Sequence, residues 1–215
     1  MEWAIGLMHR SPELKTSAVT ILLAAGRSRR FGADKRLYQV EGSSLLKRSI
    51  STSLALTLRT LVVLRPDDKS IIDELLGDFQ NDPNIEIVFA EDADLGMGHS
   101  LSFAVKHLQS LSVEENNFPF YEVQAALVML ADMPWVSPET IAKVVASYSA
   151  GKIIIPTCKK VWGHPILFSS KWFSSLERLT GDNGAKRLLQ SNKEALVEIE
   201  VEDEGILRDV DRPLA

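Results

Sequence analysis

Short apolar runs alternate with longer amphipathic stretches through the first two thirds of this chain. The runs lie at 18–23, 60–64, 85–90 and 124–130. The amphipathic stretches between and after them predict helices at 44–58, 67–79, 98–109 and 138–148. Strands that are apolar throughout are buried on both faces, and helices between them supply that cover. The pattern therefore predicts an α/β fold with a doubly wound, mostly parallel sheet.

Beyond residue 153 the pattern changes to short strands and short helices. We predict strands at 153–156 and within "GHPILFSS", "LVEIEVED" and "GILRDVD", and helices at 171–179 and 184–191. This indicates an antiparallel element added late to the sheet. Ligands of open α/β sheets bind beyond the carboxyl ends of the strands. The loops expected to form a site are 24–37, 91–100 and 131–137.

Length and composition limit the class of protein. At 215 residues the chain fits one domain, which we place at 18–215, with 1–17 as a flexible extension. A single cysteine, Cys158, rules out an intrachain disulfide and favours a reducing, cytoplasmic setting. The net charge of -5 argues against nucleic-acid binding. No apolar run approaches the roughly 18 residues that span a bilayer, so no membrane association is expected.

A dense basic cluster follows the first predicted strand, in "LAAGRSRRFGADKR". Its members are Arg27, Arg29, Arg30, Lys35 and Arg36. The glycine spacing excludes both the P-loop and the dinucleotide fingerprint. The small residues at 24–26 allow a ligand close to the backbone, and the cations beyond them suit a triphosphate. The alternative is a solvated basic loop in which Gly26 and Gly32 make turns.

An aspartate, Asp132, ends the fourth predicted strand in "LADMP". Mg²⁺ prefers oxygen ligands and is commonly held by one or two carboxylates together with substrate phosphates. Asp132 is suitably placed to face the basic loop. Its alternative role is that of a turn or capping residue.

Four further segments carry candidate residues. They are "GMGHSL" from Gly96, "GHP" from Gly163, "GDNGAK" from Gly181 and "RDVD" from Arg208. Amides at the start of a helix after Gly96 could receive an anion, and Asp182 is expected to cap the helix beginning near Gly184. Of Asp209 and Asp211, we expect only one to point inward. The alternative for the Gly96 segment is a simple glycine turn, and that for "GHP" is a histidine hydrogen-bonded to a neighbouring carbonyl. The alternative for "RDVD" is a solvated acidic tail.

Together and in this order, the motifs resemble those of the molybdenum cofactor cytidylyltransferase family, among the molybdopterin nucleotidyltransferase-like NTP transferases. The chain differs from the family pattern at Phe31, Met133, Lys186 and Arg212. The resemblance implies a Rossmann-like sheet of the nucleotide-diphospho-sugar transferase type. It implies Mg²⁺-dependent transfer of CMP from CTP to the phosphate of molybdopterin, with release of pyrophosphate and a molybdenum hydroxylase as recipient.

The resemblance also implies site residues. Arg30, Lys35 and Asp132 would be catalytic, with Asp132 and Asp211 on the metal. Nucleotide binding falls to Leu23, Ala24, Ala25, Gly26, Arg27, Ser28, Gly32, Gly96, Gly98 and Ser100. Acceptor binding falls to His164, Pro165, Asp182 and Gly184. One rival function is the same transfer reaction with GTP as the nucleotide or a sugar phosphate as the acceptor. The others are a non-catalytic cofactor carrier and a glycosyltransferase. "LAAG", where related guanylyltransferases carry "LAGG", favours CTP.

Overall fold

The computed structural model describes residues 17–28, 31–111 and 123–212. The predicted extension at 1–17 lies outside this part of the chain, apart from Ser17, and so does Arg30.

Within the described residues the chain forms ten strands and six α-helices, joined by short 3-10 turns. The strands are β1 (Ala18–Leu23), β2 (Gln39–Val40), β3 (Ser43–Ser44), β4 (Arg59–Leu64), β5 (Ile85–Phe89), β6 (Ala125–Leu130), β7 (Ile153–Cys158), β8 (Val161–Trp162), β9 (Ile166–Ser169) and β10 (Leu196–Glu200). The helices are α1 (Leu45–Leu56), α2 (Ile72–Leu76), α3 (Met97–Ser110), α4 (Pro138–Ala146), α5 (Phe173–Leu176) and α6 (Lys186–Ser191).

The main sheet has the order β10-β7-β9-β6-β1-β4-β5, with β8 paired to β7. β1 pairs in parallel with β4 and β6, β4 pairs in parallel with β5, and β7 does so with β10. β9 is antiparallel to both of its neighbours. The predicted mostly parallel sheet with a late antiparallel element is confirmed. The chain leaves β1 for β4 on one side and returns to β6 on the other, which creates a topological switch point beside β1.

Two apolar layers cover the sheet, and β1 contributes alternate residues to each. Ala18 and Leu22 pack in the layer that includes α1, α2 and α4. Val19 and Ile21 pack in the layer that includes α3, α5 and α6. Side chains of a strand alternate between its faces, so an apolar residue at every position fits a sheet covered on both sides. This is why the continuous apolar runs predicted the architecture.

Helix starts are set by side-chain caps where the sequence provides them. Ser44 accepts a hydrogen bond from the amide of Lys47 and begins α1, while Ser137 accepts one from Thr140 and begins α4. An N-cap hydroxyl satisfies one of the amides that a first helical turn leaves without a partner. The predicted cap at Ser137 is confirmed.

Three predicted elements are wrong in type or extent. The helix expected at 171–179 is a 3-10 turn over Ser170–Trp172 followed by the four-residue α5. The helix expected at 67–79 is divided into a 3-10 turn, the five-residue α2 and a second 3-10 turn from Gly77, which adopts φ +55° and ends α2. The strand expected at 205–211 is a 3-10 turn over Glu204–Leu207 followed by extended chain. Asp203 caps that turn by accepting from the Gly205 amide. Among the described residues, no helix is long and apolar enough to cross a membrane.

Candidate active site

A cavity of about 440 Å³ opens at the carboxyl edge of the sheet, beside the switch point. The register pairs Leu23 with both Val63 and Leu130, so β1, β4 and β6 end at the same level. The loops that follow therefore meet around one space. The predicted residues that line it are Leu23, Ala24, Ala25, Gly26, Arg27, Ser28, Lys35, Gly96, Ser100, Asp132, Asp182 and Asp211.

Five predicted site residues do not line this cavity. They are Gly32, Gly98, His164, Pro165 and Gly184. Gly32 borders a second depression of about 320 Å³, together with Asp34 and Arg65. Gly98 and Gly184 belong to the wall behind the cavity, and His164 precedes β9.

Lys35 is the charged centre of the cavity. Its ammonium nitrogen lies 2.6 Å from Oδ2 of Asp132 and 3.9 Å from Oδ1 of Asp211. Asp34 caps the short 3-10 helix Lys35–Leu37 by accepting from the amide of Arg36, and the Lys35 amide donates to Ser28 Oγ over 3.3 Å. These bonds hold the lysine at the turn where its side chain reaches the end of β6.

The C-terminal segment brings Asp211 to the same place. The amide of Val210 donates to the carbonyl of Asp132 over 2.9 Å, and the Val210 side chain is buried. Asp209 is exposed and lies outside the cavity lining. In a regular strand residues 209 and 211 would share a face. The segment is not a strand, and its anchoring at Val210 is what turns only Asp211 toward Asp132.

The two carboxylates are the residues that could hold a divalent metal ion shared with a substrate. Among the residues that the structure describes, no group of three or more His, Cys, Asp or Glu side chains is placed to hold a metal. A closed, all-protein metal cage is therefore not formed by these residues. Two hard oxygen donors that converge on one cation match the way in which Mg²⁺ is held by one or two carboxylates plus phosphates and water.

The start of α3 forms one wall together with the loop before α6. The Gly98 amide donates to the Gly181 carbonyl over 2.8 Å. A Cβ on Gly98 would come within 2.7 Å of the Thr180 carbonyl oxygen, and one on Gly96 (φ +120°) would overlap Asp182. The two glycines thus allow the two loops to approach closely. The Gly98 amide is already used within the chain rather than left for an anion.

The prediction that Asp182 caps α6 is wrong. Ala185 is the N-cap residue of that helix and makes no side-chain capping bond. Asp182 is exposed and lines the cavity instead. The reason is the packing of Gly181 on Gly98, which draws the loop toward α3 and away from the α6 terminus.

Arg27 joins three loops at the rim. Its guanidinium donates to both carboxylate oxygens of Asp94, with Nη2 2.5 Å from Oδ2, and Nη1 lies 3.3 Å from Oδ2 of Asp67. The hydrogen bond with Asp94 is the main reason that the pKa of Arg27 is raised. The loop after β1 is thereby tied to those after β4 and β5.

His164 lies at the start of β9, behind the end of β6. Its amide donates to the Ile206 carbonyl over 3.0 Å. Burial lowers the pKa of the imidazole, against the opposing effects of a hydrogen bond with the Val128 backbone and of the charge on Asp132. Its Nδ1 is buried and has no hydrogen-bond partner among the described residues. His164 is therefore a neutral side chain adjacent to the site, and contact with an acceptor stays a prediction.

A buried ion-pair cluster beneath the basic loop is absent from the sequence predictions. Arg36 is 3% exposed and Asp68, in the turn after β4, is 1% exposed. Arg36 donates to both oxygens of Asp68 at 2.5 and 2.7 Å, and to both oxygens of Asp34. Burial opposes the charge of Asp68, yet the hydrogen bonds from Arg36 hold its pKa below the usual value. Arg65 donates to the same carboxylate over 2.9 Å.

Comparison with known proteins agrees with this architecture. The sequence profile described as "MobA-like NTP transferase domain" matches residues 20–196. The purine catabolism protein PucB of Bacillus subtilis (strain 168) is 31% identical over 210 residues, which cover 95% of this chain and 94% of that protein. The solved structure of Rv0371c from Mycobacterium tuberculosis H37Rv superposes with a TM-score of 0.73 at 25% identity, covering 92% of this chain and 93% of that one.

Two further relatives carry molybdenum cofactor names. The molybdenum cofactor cytidylyltransferase of Escherichia coli (strain K12) is 26% identical over 194 residues, covering 90% of each protein. A probable molybdenum cofactor guanylyltransferase of Chloroflexus aggregans (strain MD-66 / DSM 9485) is 30% identical over 140 residues, covering 64% of this chain and 56% of that protein. With the profile spanning most of its length and a relative matching nearly all of it, this chain is a nucleotidyltransferase that belongs to the family of MobA-like NTP transferase domains.

Proposed function

We propose that this enzyme transfers CMP from CTP to the phosphate of a molybdopterin-type acceptor. An acceptor phosphate oxygen attacks the α-phosphorus, the bond from that phosphorus to the bridging oxygen breaks, and pyrophosphate leaves. The observation that carries the proposal is Lys35, whose ammonium lies between Asp132 and Asp211 at the mouth of the small-residue loop. The transfer would be catalysed by one domain, 18–215, to which 1–17 is an extension.

The charge balance of the cavity supports a divalent cation, for which we propose Mg²⁺. Its charged lining comprises four carboxylates and three cationic groups: Asp94, Asp132, Asp182, Asp211, Arg27, Lys35 and Arg36. All three of those cations are already paired with carboxylates. A polyanionic triphosphate would therefore enter a site with a net acidic lining. Bound Mg²⁺, held by Asp132 and Asp211, would neutralise phosphate charge as a Lewis acid.

The residues of the chain supply position and charge. Lys35 would leave its carboxylate partners and donate to the phosphate oxygens, stabilising the charge that develops on the departing pyrophosphate. The side chains of Ala24 and Ala25 are short enough for the nucleotide to approach the backbone. Asp132 and Asp211 would orient the reacting phosphate against the acceptor, so catalysis is mostly a matter of positioning. Arg30 would add a second cation.

The base and the acceptor rest on sequence similarity. "LAAG" at 23–26 favours CTP, as does the similarity to the E. coli cytidylyltransferase. GTP is the second candidate, favoured by the similarity to the C. aggregans guanylyltransferase. The match to a purine catabolism protein over nearly the whole chain suggests that the product serves a molybdenum hydroxylase of purine breakdown. A sugar phosphate acceptor and a non-catalytic carrier are the remaining alternatives.

The test is pyrophosphate release from CTP and from GTP, each with Mg²⁺ and molybdopterin, and each with a sugar phosphate as the comparison acceptor. Release that requires CTP and molybdopterin supports the proposal, whereas release with GTP alone contradicts the cytidylyl assignment. A carrier would deliver the cofactor equally well after Asp132→Ala, while an enzyme would fold and lose turnover.

A further inference from the structure

Two arginines beneath the basic loop each donate to a carbonyl of the loop. Arg36 Nη1 lies 3.0 Å from the carbonyl oxygen of Ala24, and Arg65 Nη1 lies 3.0 Å from that of Gly26. Both arginines are held by Asp68, which also accepts from the Arg65 amide over 2.9 Å. We call Arg36, Arg65 and Asp68 the loop clamp.

Within the clamp, Arg36 and Asp68 are saturated with hydrogen bonds. Arg36 uses all five of its N–H groups: on Asp34, on Asp68 and on the Ala24 carbonyl. Asp68 accepts four hydrogen bonds, from the two arginine side chains and one backbone amide. A buried ion pair of this kind contributes little net stability, because desolvation offsets its Coulomb attraction. Its main effect is on geometry, because the planar guanidinium group fixes the direction of each hydrogen bond that it donates.

The carbonyl directions determine where the loop amides point. In a planar trans peptide the C=O and the following N–H point in opposite directions. The carbonyls of Ala24 and Gly26 are drawn toward the clamp, so the N–H groups of Ala25 and Arg27 point away from it. Both of these residues line the cavity.

We infer that Arg36 and Arg65 are positioning residues, which aim the backbone N–H groups of Ala25 and Arg27 at the phosphates of the nucleotide. This inference rests on the proposed function, because the ligand of those amides is taken to be its triphosphate. Two backbone N–H groups of one short loop that are turned to the same side can donate charge-assisted hydrogen bonds to the same anion. In this arrangement two of the basic residues act on the phosphates through the backbone rather than through their own charge.

The test is the binding of Mg²⁺–tripolyphosphate and of Mg²⁺–CTP to the full chain by calorimetry. Arg65→Met is the main variant, since Arg36 continues to neutralise Asp68. In this variant a loop amide should lose its hydrogen bond to a charged phosphate oxygen. The loss of one such bond weakens tripolyphosphate binding on the order of 10- to 100-fold. Arg36→Lys is the second variant, because it keeps the buried positive charge but loses the planar guanidinium group. We expect a similar loss of tripolyphosphate affinity.

Thr60→Val is the matched control. Thr60 is fully buried at the opposite end of β4, where its hydroxyl lies 2.7 Å from Ser53 Oγ. The variant should lower the free energy of unfolding while leaving tripolyphosphate affinity unchanged. A purely structural role for the clamp would instead make affinity follow stability in all three variants, which would overturn the inference.

The outcomes separate this inference from the proposed function. If Arg65→Met binds tripolyphosphate as tightly as the wild type, the inference is wrong even where the enzyme transfers CMP. Clamp-dependent tripolyphosphate binding without any nucleotidyl transfer leaves the inference standing and refutes the proposed function. A wild-type protein that binds neither tripolyphosphate nor CTP refutes both.

Discussion

Replacing Asp132 by Asn should abolish most activity while leaving the fold nearly unchanged. The amide keeps the shape of the side chain and removes one negative charge from the pair proposed to hold Mg²⁺. Two unit charges about 4 Å apart at an effective dielectric constant near 20 interact by about 4 kcal/mol. At about 1.4 kcal/mol for each factor of ten, losing an interaction of that size slows turnover about 1000-fold.

The stability cost should be small by comparison. The side chains of Lys35 and Asp132 are 15% and 23% exposed, so solvent screens their ion pair. Such pairs contribute about 0–1 kcal/mol. The backbone bond from Val210 to the Asp132 carbonyl survives the substitution. We therefore expect the melting temperature to fall by at most about 4 °C.

The assay is pyrophosphate release as a function of Mg²⁺ concentration, run beside thermal unfolding. Asp211→Asn should also slow turnover and raise the Mg²⁺ concentration needed for half-maximal rate. Asp209→Asn is the control, since that carboxylate is exposed outside the cavity. Wild-type turnover by Asp132→Asn at saturating Mg²⁺, or equal losses in the variants at 209 and 211, would refute the metal assignment.

Two other predictions concern the walls of the site. Gly96→Ala should destabilise the fold by about 1–3 kcal/mol in urea unfolding, since alanine at φ +120° is strained and its Cβ would overlap Asp182. Gly26→Ala, where a Cβ meets nothing within 4 Å, is the comparison, and equal unfolding midpoints would contradict the packing argument. His164 has a lowered pKa, so the unfolded state binds its proton first and stability is lost as the pH falls through about 6.5. His164→Gln should reduce the pH dependence of the free energy of unfolding between pH 8 and pH 5.5. If the free energy of unfolding of this variant changes with pH as steeply as that of the wild type, another group causes the titration.

The strands that were predicted well are those whose burial leaves a pattern in the sequence. β1, β4, β5 and β6 are apolar at nearly every position because helices cover both faces, so the runs alone locate them within a residue or so. The 205–211 segment is also predicted to be a strand, yet it forms no ladder. Its partners are the end of β6 and the loop behind it, and a tertiary contact of that kind has no local signature.

The basic cluster after β1 also shows that tertiary contacts cannot be predicted from the local sequence. Counting charge suggests that every cation in the loop faces a phosphate. The structure places three of these cations in different surroundings. Arg36 is paired with Asp68 beneath the loop, and Arg27 is paired with Asp94 at the rim. Of the three, only Lys35 contacts the carboxylates at the end of β6. Asp68 lies 32 positions from Arg36 in sequence, so no spacing rule within the loop could pair them. The positive charge of this loop is therefore not all available to a ligand, because at least two of its arginines are held by carboxylates from other parts of the chain.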